Sequence, residues 1–267
     1  MSTTPVYFAG IDIGSTASKT VVLKDGKIED YFVLPTGWNG RETANAILKQ
    51  LKIRGYADDM RCVATGYGRI CVDYADKIVT EITCHGKGGW AIFKKNMTII
   101  DVGGQDTKMI KVIDGQVADF LMNDKCAAGT GRFLEMMAKT LGLSLEEMSV
   151  KGLEWKHNIV ISSMCTVFAE SEVVSLVAQN KDVADIIHGL NVSVASKVGA
   201  LAARLGKDHP GEYMMTGGVA KNRGIIQALE EKLGAKLYIC DEAQLCGALG
   251  AALFAYEKCK GSAEETR

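Results

Sequence analysis

One short pattern occurs twice in this chain without a gap, and it restricts the fold more than any other feature. Residues 12–28 read D-I-G-S-T-A-S-K-T-V-V-L-K-D-G-K-I, and residues 101–117 read D-V-G-G-Q-D-T-K-M-I-K-V-I-D-G-Q-V. Asp12 aligns with Asp101, Gly14 with Gly103, Lys19 with Lys108, and Asp25-Gly26 with Asp114-Gly115. Each copy predicts an apolar strand, a tight glycine turn, a second strand and an Asp-Gly turn. Such a turn exposes backbone N–H groups, and an acidic residue beside it can hold a hydrated Mg²⁺. A single D-x-G turn reads as an ordinary hairpin. Two copies in register predict two facing turns that grip the phosphates of one nucleotide.

The remaining signals fit an α/β protein with two related lobes. Strand-like runs occur at 6–13, 18–23, 60–65, 97–101, 108–113, 213–216 and 236–239. Ala44, Ile47, Leu48 and Leu51 form one helical stripe, and Phe133, Met136, Met137 and Leu141 form another. Ser144 with Glu147 predicts a capping box. A long helical stretch covers 169–205, with a break expected near 180–182 or 188–189. Thr216-Gly217-Gly218 lies between a strand and a helix over 222–233, whose N-terminus is expected to receive a ligand. The last helix, over 246–258, opens with C-G-A-L-G-A-A, small residues suited to close packing on a sheet. The first lobe is expected over residues 1–115, with 247–260 packing back on it, and the second over 116–246.

Composition removes several function classes. With 267 residues and a formal net charge of −1, the chain lacks the broad basic surface of a nucleic-acid binder. No uninterrupted apolar stretch approaches a membrane span, and the first strand begins too early to leave room for a signal peptide. A cytoplasmic location is expected. Its eight cysteines then read as thiols or metal ligands rather than disulfides.

Four motifs now stand in one order. D-I-G-S-T-A-S-K resembles the first phosphate segment of the actin, Hsp70 and sugar-kinase superfamily, and D-V-G-G-Q-D-T-K the second. M-T-G-G-V-A-K-N resembles its adenosine segment, and G-A-L-G-A-A its second connecting helix. The resemblance implies the actin-like (ribonuclease H-like) ATPase fold. Two further motifs, N-D-K-C-A-A-G-T-G-R-F-L-E with Cys126 and S-S-M-C-T-V-F-A-E-S-E with Cys165, each set a cysteine ahead of a helical pattern. Helix N-termini favour thiolates and anionic clusters, yet neither motif is a C-x-x-C pair. Spacing alone leaves cluster ligands and buried structural thiols both open.

With T-G-Y-G-R at 65–69, the combination closely resembles the ATP-dependent activators of (R)-2-hydroxyacyl-CoA dehydratases. Their family also includes benzoyl-CoA reductase ATPase subunits and double-cubane-cluster reductases. The resemblance implies a homodimer with one bridging [4Fe–4S] cluster, ATP or ADP on each subunit, and Mg²⁺. It makes Cys126 and Cys165 the metal ligands. Ser15, Thr16, Ala17, Ser18 and Lys19 become the first phosphate cradle, and Gly103, Gly104 and Gln105 the second. Gly217, Gly218 and Gln244 become nucleoside contacts. Asp12, Asp101 and Gln105 are its candidate catalytic residues, with Asp106 a further candidate for Mg²⁺ or water. One departure is Met164, where the dehydratase activators are expected to have Thr. The implied activity is ATP-driven delivery of an electron from ferredoxin or flavodoxin to a partner iron–sulfur enzyme.

Two other readings stay open at this stage: a small-molecule kinase of the same superfamily, and a nucleotide-dependent interaction protein without chemistry. The other six cysteines and His188 read as structural, and His85 as a capping or core residue or a contact at a dimer or partner face. Arg132 reads as a nucleotide or partner contact or a surface ion pair. Lys108 reads as either a site residue or a solvated one.

Overall fold

In the computed structural model, which describes residues 7–161, 165–205 and 211–264, two five-stranded sheets repeat one topology. The first contains β1 (Tyr7–Ile13), β2 (Ala17–Lys24), β3 (Lys27–Pro35), β4 (Met60–Thr65) and β5 (Lys77–Ile78), in the order β3-β2-β1-β4-β5. The second contains β6 (Met97–Val102), β7 (Thr107–Ile113), β8 (Gln116–Asn123), β9 (Tyr213–Thr216) and β10 (Leu237–Tyr238), in the matching order β8-β7-β6-β9-β10. The sequence repeat is therefore the meander that opens each sheet. Its Asp-Gly turns have positive φ at both residues, 53° and 78° at Asp25-Gly26 and 49° and 77° at Asp114-Gly115. That geometry matches the twist of the flanking strands and gives Asp-Gly its preference there.

The third strand of each meander was not marked by the sequence, and burial explains why. β3 and β8 are mostly exposed edge strands, so neither carries the strong apolar alternation of a half-buried strand.

The chain divides into two compact units. The first comprises residues 1–96, 112–118 and 244–267, and the second 97–111 and 119–243. A boundary at residue 115 falls in the β7–β8 turn, whereas β6 pairs in parallel with β9 and so belongs to the second sheet.

In the first unit, α1 (Gly40–Ile53) covers one face of the sheet. Asn39 Oδ1 caps it by accepting from the N–H groups of Arg41 and Glu42 at 3.1 and 3.4 Å. Ala44, Ile47 and Leu51 pack with Ala9, Ile11, Ile13 and Val22. The other face takes α8 (Cys246–Glu264), whose Ala248, Leu249, Ala251 and Ala252 pack with Phe8, Val21, Leu23 and Val63. Backbones nearly touch here. A Cβ on Gly10 would lie 1.9 Å from the Ala248 carbonyl oxygen, and one on Gly250 would lie 1.8 Å from that of Cys84 in α2 (Glu81–Phe93). The small residues of α8 thus serve both the sheet and a neighbouring helix.

The second unit has one continuous core under α3 (Gly131–Thr140), α4 (Leu145–Lys151), α5 (Thr166–Ala178), α6 (Val183–Arg204) and α7 (Arg223–Leu233). Ser144 and Glu147 form the expected capping box. The break between α5 and α6 comes at the first expected place: Asn180 is left-handed at φ 56° and Asp182 caps α6. Gly189 lies inside α6 and does not break it; its missing side chain admits the Ile159 carbonyl, from which a Cβ would lie 2.4 Å. Among the described residues, α6 alone has the length and apolarity of a membrane span, and its apolar window is 67% buried inside the protein.

Candidate functional site

In the first unit, register sets the site. β1 and β2 pair Asp12 with Lys19, and β1 and β4 pair Asp12 with Thr65. The connecting turn folds back so tightly that a Cβ on Gly14 would lie 2.9 Å from the Ala17 carbonyl oxygen and 3.2 Å from Lys19 Nζ. Asp12 Oδ2 meets Lys19 Nζ at 3.4 Å, while Oδ1 is buried without a hydrogen-bond partner, as is Thr16 Oγ1. Gly66, at φ +83°, follows Thr65 and passes so close that its Cβ would lie 2.3 Å from Asp12 Oδ1. Arg69 braces this turn by donating to the Gly66 carbonyl at 2.9 Å. Gly247 leaves room where α8 begins: a Cβ there would lie 2.7 Å from His85 Cε1 and 3.0 Å from Asp12 Oδ2. Ser15, Thr16 and Ala17 are half-buried in the turn, whereas the Ser18 hydroxyl is buried against Thr36 Oγ1 at 2.6 Å.

The second unit repeats the frame with different electrostatics. Asp101 faces Thr216 across β6 and β9, and Gly217 follows at φ +85°. Lys108 is only 1% exposed and bridges Asp101 Oδ2 at 3.2 Å and Asp106 Oδ1 at 2.8 Å. Thr216 Oγ1 donates to Asp101 Oδ1 at 2.8 Å. The solvated reading of Lys108 is thus corrected: the turn carries it into the interior, where only paired charges are tolerated. Asp106 belongs to that pairing. Both oxygens of Asp101 are occupied, so Asp12 is the better placed of the two aspartates to accept a hydrated cation. Gln105 is exposed at the tip of the turn.

Two expectations about helix N-termini change. Arg223 and Ile225 of α7 already donate to Ser149 Oγ and Asn222 Oδ1, each at 3.0 Å. The 3-10 turn Gly218–Lys221 intervenes between the glycines and that helix. Open space lies instead beside Gly218, where an added Cβ meets nothing within 4 Å. At α3, Gly131 and Arg132 donate to the carbonyls of Gly103 and Gly104, each at 2.8 Å. The start of α3 therefore braces the Gly103-Gly104 turn, and Cys126 lies in the loop four residues before the N-cap Thr130. Gln244 is half-buried in the 3-10 turn Asp241–Leu245.

The cysteines separate by burial. Cys126 and Cys165 are exposed, while the other six are buried or half-buried. Burial pushes the Cys62 and Cys84 thiols up to about 12 and that of Cys240 to about 11, leaving them inert. Cys165 stands at the N-cap position of α5 without a side-chain capping bond, while Met164 lies outside the described residues. A single chain thus offers two accessible soft donors, half the usual thiolate set of a [4Fe–4S] cluster. Within the first unit, the glycine turn and the unpartnered Asp12 and Thr16 oxygens fit a hydrated Mg²⁺ beside a phosphate; within the second, the space beside Gly218 is open.

Two histidines lie inside the fold. His85 is buried and its Nδ1 lies 3.0 Å from the Glu81 carbonyl. His188 stacks on Trp155 at 3.8 Å. Arg132 forms an exposed pair with Glu135 at 2.8 Å. The sequence reading missed the matching roles of Thr65-Gly66 and Thr216-Gly217; the repeated Thr-Gly after an apolar strand was the available signal.

Comparison with known proteins agrees with this geometry. The sequence pattern of the BadF/BadG/BcrA/BcrD ATPase family matches residues 9–255. The (R)-2-hydroxyglutaryl-CoA dehydratase activating ATPase of Acidaminococcus fermentans is 46% identical over 261 residues, covering 95% of this chain and 98% of that protein. The activator of the 2-hydroxyisocaproyl-CoA dehydratase from Clostridium difficile, solved with bound ADPNP, has a TM-score of 0.91 at 42% identity over 98% of each chain. MreB 5 of Spiroplasma citri, at 14% identity and a TM-score of 0.60 over 100% of each chain, shares the actin-like fold alone. The chain belongs to the BadF/BadG/BcrA/BcrD ATPase family.

Proposed function

We propose that this chain is the ATP-hydrolysing, electron-delivering activator of an iron–sulfur enzyme, either a 2-hydroxyacyl-CoA dehydratase or a double-cubane-cluster reductase. The observation that carries this reading is the exposure of Cys126 and Cys165 alone among eight cysteines, in a chain with two phosphate turns. Two copies supply four thiolates. When bound, a [4Fe–4S] cluster supplies a one-electron carrier. Val167 and Phe168, 62% and 67% exposed directly after Cys165, offer apolar surface for a second copy.

Ser15, Thr16, Ala17, Ser18 and Lys19 form the first phosphate cradle, partly through backbone N–H groups, and Gly103, Gly104 and Gln105 the second. Gly217, Gly218 and Gln244 contact the nucleoside. Asp12 holds the hydrated Mg²⁺, the Asp101–Lys108 pair keeps the second turn in place, and Gln105 orients the attacking water. Within the second unit, the phosphate turn is tied to the cysteine loop. Gly103 and Gly104 accept from Gly131 and Arg132, and Thr107 Oγ1 donates to the Gly129 carbonyl at 2.9 Å. A shift of the turn on γ-phosphate loss is thereby passed to the segment carrying Cys126. The electron comes from ferredoxin or flavodoxin in the cytoplasm.

The test is iron and acid-labile sulfide per dimer after anaerobic purification, with Cys126→Ser and Cys165→Ser beside the wild type. About four of each per wild-type dimer, lost in either variant, is expected. A folded, ATP-binding wild type that takes up no iron on reconstitution refutes the reading.

A further inference from the structure

α6 presents Lys197, Leu201 and Arg204 toward a cavity of about 200 Å³ that is also lined by Thr107, Asn123 and Gly129. The cysteine loop forms one wall. Asn123 Nδ2 donates to the Cys126 carbonyl at 3.1 Å, and Thr107 fixes the Gly129 carbonyl. Gly129 has φ +96°, and a Cβ there would lie 3.5 Å from Lys197 Cβ and 3.8 Å from Lys197 Cδ. The half-buried lysine therefore packs its stem along the loop backbone. Burial lowers the lysine pKa, and Cys126 and Cys165 both oppose that fall. Gly129 lies three residues after Cys126, so the lysine packs on the loop that carries that thiol.

We propose that Lys197 is a positioning residue that sets the reduction potential of the group held by Cys126 and Cys165. The proposal rests on those two cysteines being the cluster ligands. One-electron reduction adds one negative charge among the thiolates without breaking a bond. A fixed cation nearby favours that reduced state, and the effect is strongest where water is partly excluded. Two copies of the chain bring two such lysines. Removing both charges disfavours reduction, so the potential falls.

The experiment compares reconstituted wild type, Lys197→Met and Lys197→Arg by EPR-monitored redox titration, with iron and sulfide measured on each sample. Lys197→Met, which keeps the stem and removes the charge, is expected to disfavour the reduced state at least tenfold, a fall of about 59 mV for one electron. Lys197→Arg is expected to stay close to wild type. Equal potentials in iron-loaded wild type and Lys197→Met overturn the proposal. So do equal falls in the Met and Arg variants, which would make packing the cause. A wild type without iron overturns the cluster reading itself, a failure distinguishable by the iron assay alone.

Discussion

Replacing Gly218 by alanine separates the stability of the adenosine segment from its binding role. An added Cβ at Gly218 meets no protein atom within 4 Å, and its φ lies outside the left-handed region. Folding stability should therefore change by less than about 0.5 kcal/mol, which moves Tm by no more than about 2 °C. Gly217 is the built-in contrast. At φ 85° and ψ 175° it occupies a backbone region that is nearly glycine-only, with a strain of about 1–3 kcal/mol for another residue. Its Cβ would also lie 2.3 Å from the Val102 carbonyl oxygen, and relieving that overlap costs about 1–3 kcal/mol more. Gly217→Ala should lower Tm by about 4 °C or more. If the space beside Gly218 receives the nucleoside, Gly218→Ala weakens binding of a non-hydrolysable ATP analogue about tenfold, about 1.4 kcal/mol. Calorimetric titration beside thermal unfolding reads both quantities. A Gly218→Ala protein with wild-type affinity would refute the placement of the nucleoside, and one that melts early would refute the steric argument.

Three further outcomes follow from the structure. Lys108→Met leaves Asp101 and Asp106 buried without their shared cation and should cost about 3–5 kcal/mol in urea unfolding. Lys19→Met removes a cation that is 16% exposed and meets one buried carboxylate, Asp12, where Lys108 meets two, so it should cost less than Lys108→Met; equal losses would contradict that difference. Asp185 accepts from the N–H groups of Lys156 and His157 at 2.7 and 2.9 Å, and these bonds hold its pKa below the usual value. That stabilisation is complete above the ordinary carboxylate range and is lost as pH falls through the depressed folded value. The gap in urea midpoint between wild type and Asp185→Asn should thus be widest near neutral pH and narrow below about pH 4; a constant gap would refute the assignment. Lys94 ends α2 in the left-handed region at φ 57° and ψ 28°, so Lys94→Gly should raise stability by about 1 kcal/mol. A lower Tm would show that the lysine side chain contributes more than its backbone strain.

The repeated hairpin was legible because everything that specifies it is local. Asp12, Gly14, Lys19 and Asp25-Gly26 lie within fifteen residues, and turn chemistry fixes their spacing. Helices with a clear apolar stripe, such as α1, were equally readable. α2 was not, because Gly86, Gly88 and Gly89 obscure its pattern. Those glycines answer to a remote partner: a Cβ on Gly88 would lie 2.0 Å from the carbonyl oxygen of Cys246. The exposed edge strands β3 and β8 were missed for the opposite reason, since they bury too little to leave a pattern.

Within the candidate site the division is similar. Cys126 and Cys165 stood out by motif, yet spacing alone could not choose between ligands and structural thiols. Their exposure separates them from Cys62 and Cys84, which are 1% and 0% exposed. Lys19 and Lys108 occupy equivalent places in the repeat, but one reaches solvent and the other completes a buried network. The sequence by itself determined the two glycine turns, the α/β class and the candidate thiols, all properties of neighbouring residues. Tertiary structure alone decided that Thr65 faces Asp12, that Thr216 faces Asp101, and that Lys197 lies beside the cysteine loop. Those pairings join residues 53, 115 and 71 positions apart, because register and helix packing, not chain proximity, bring them together.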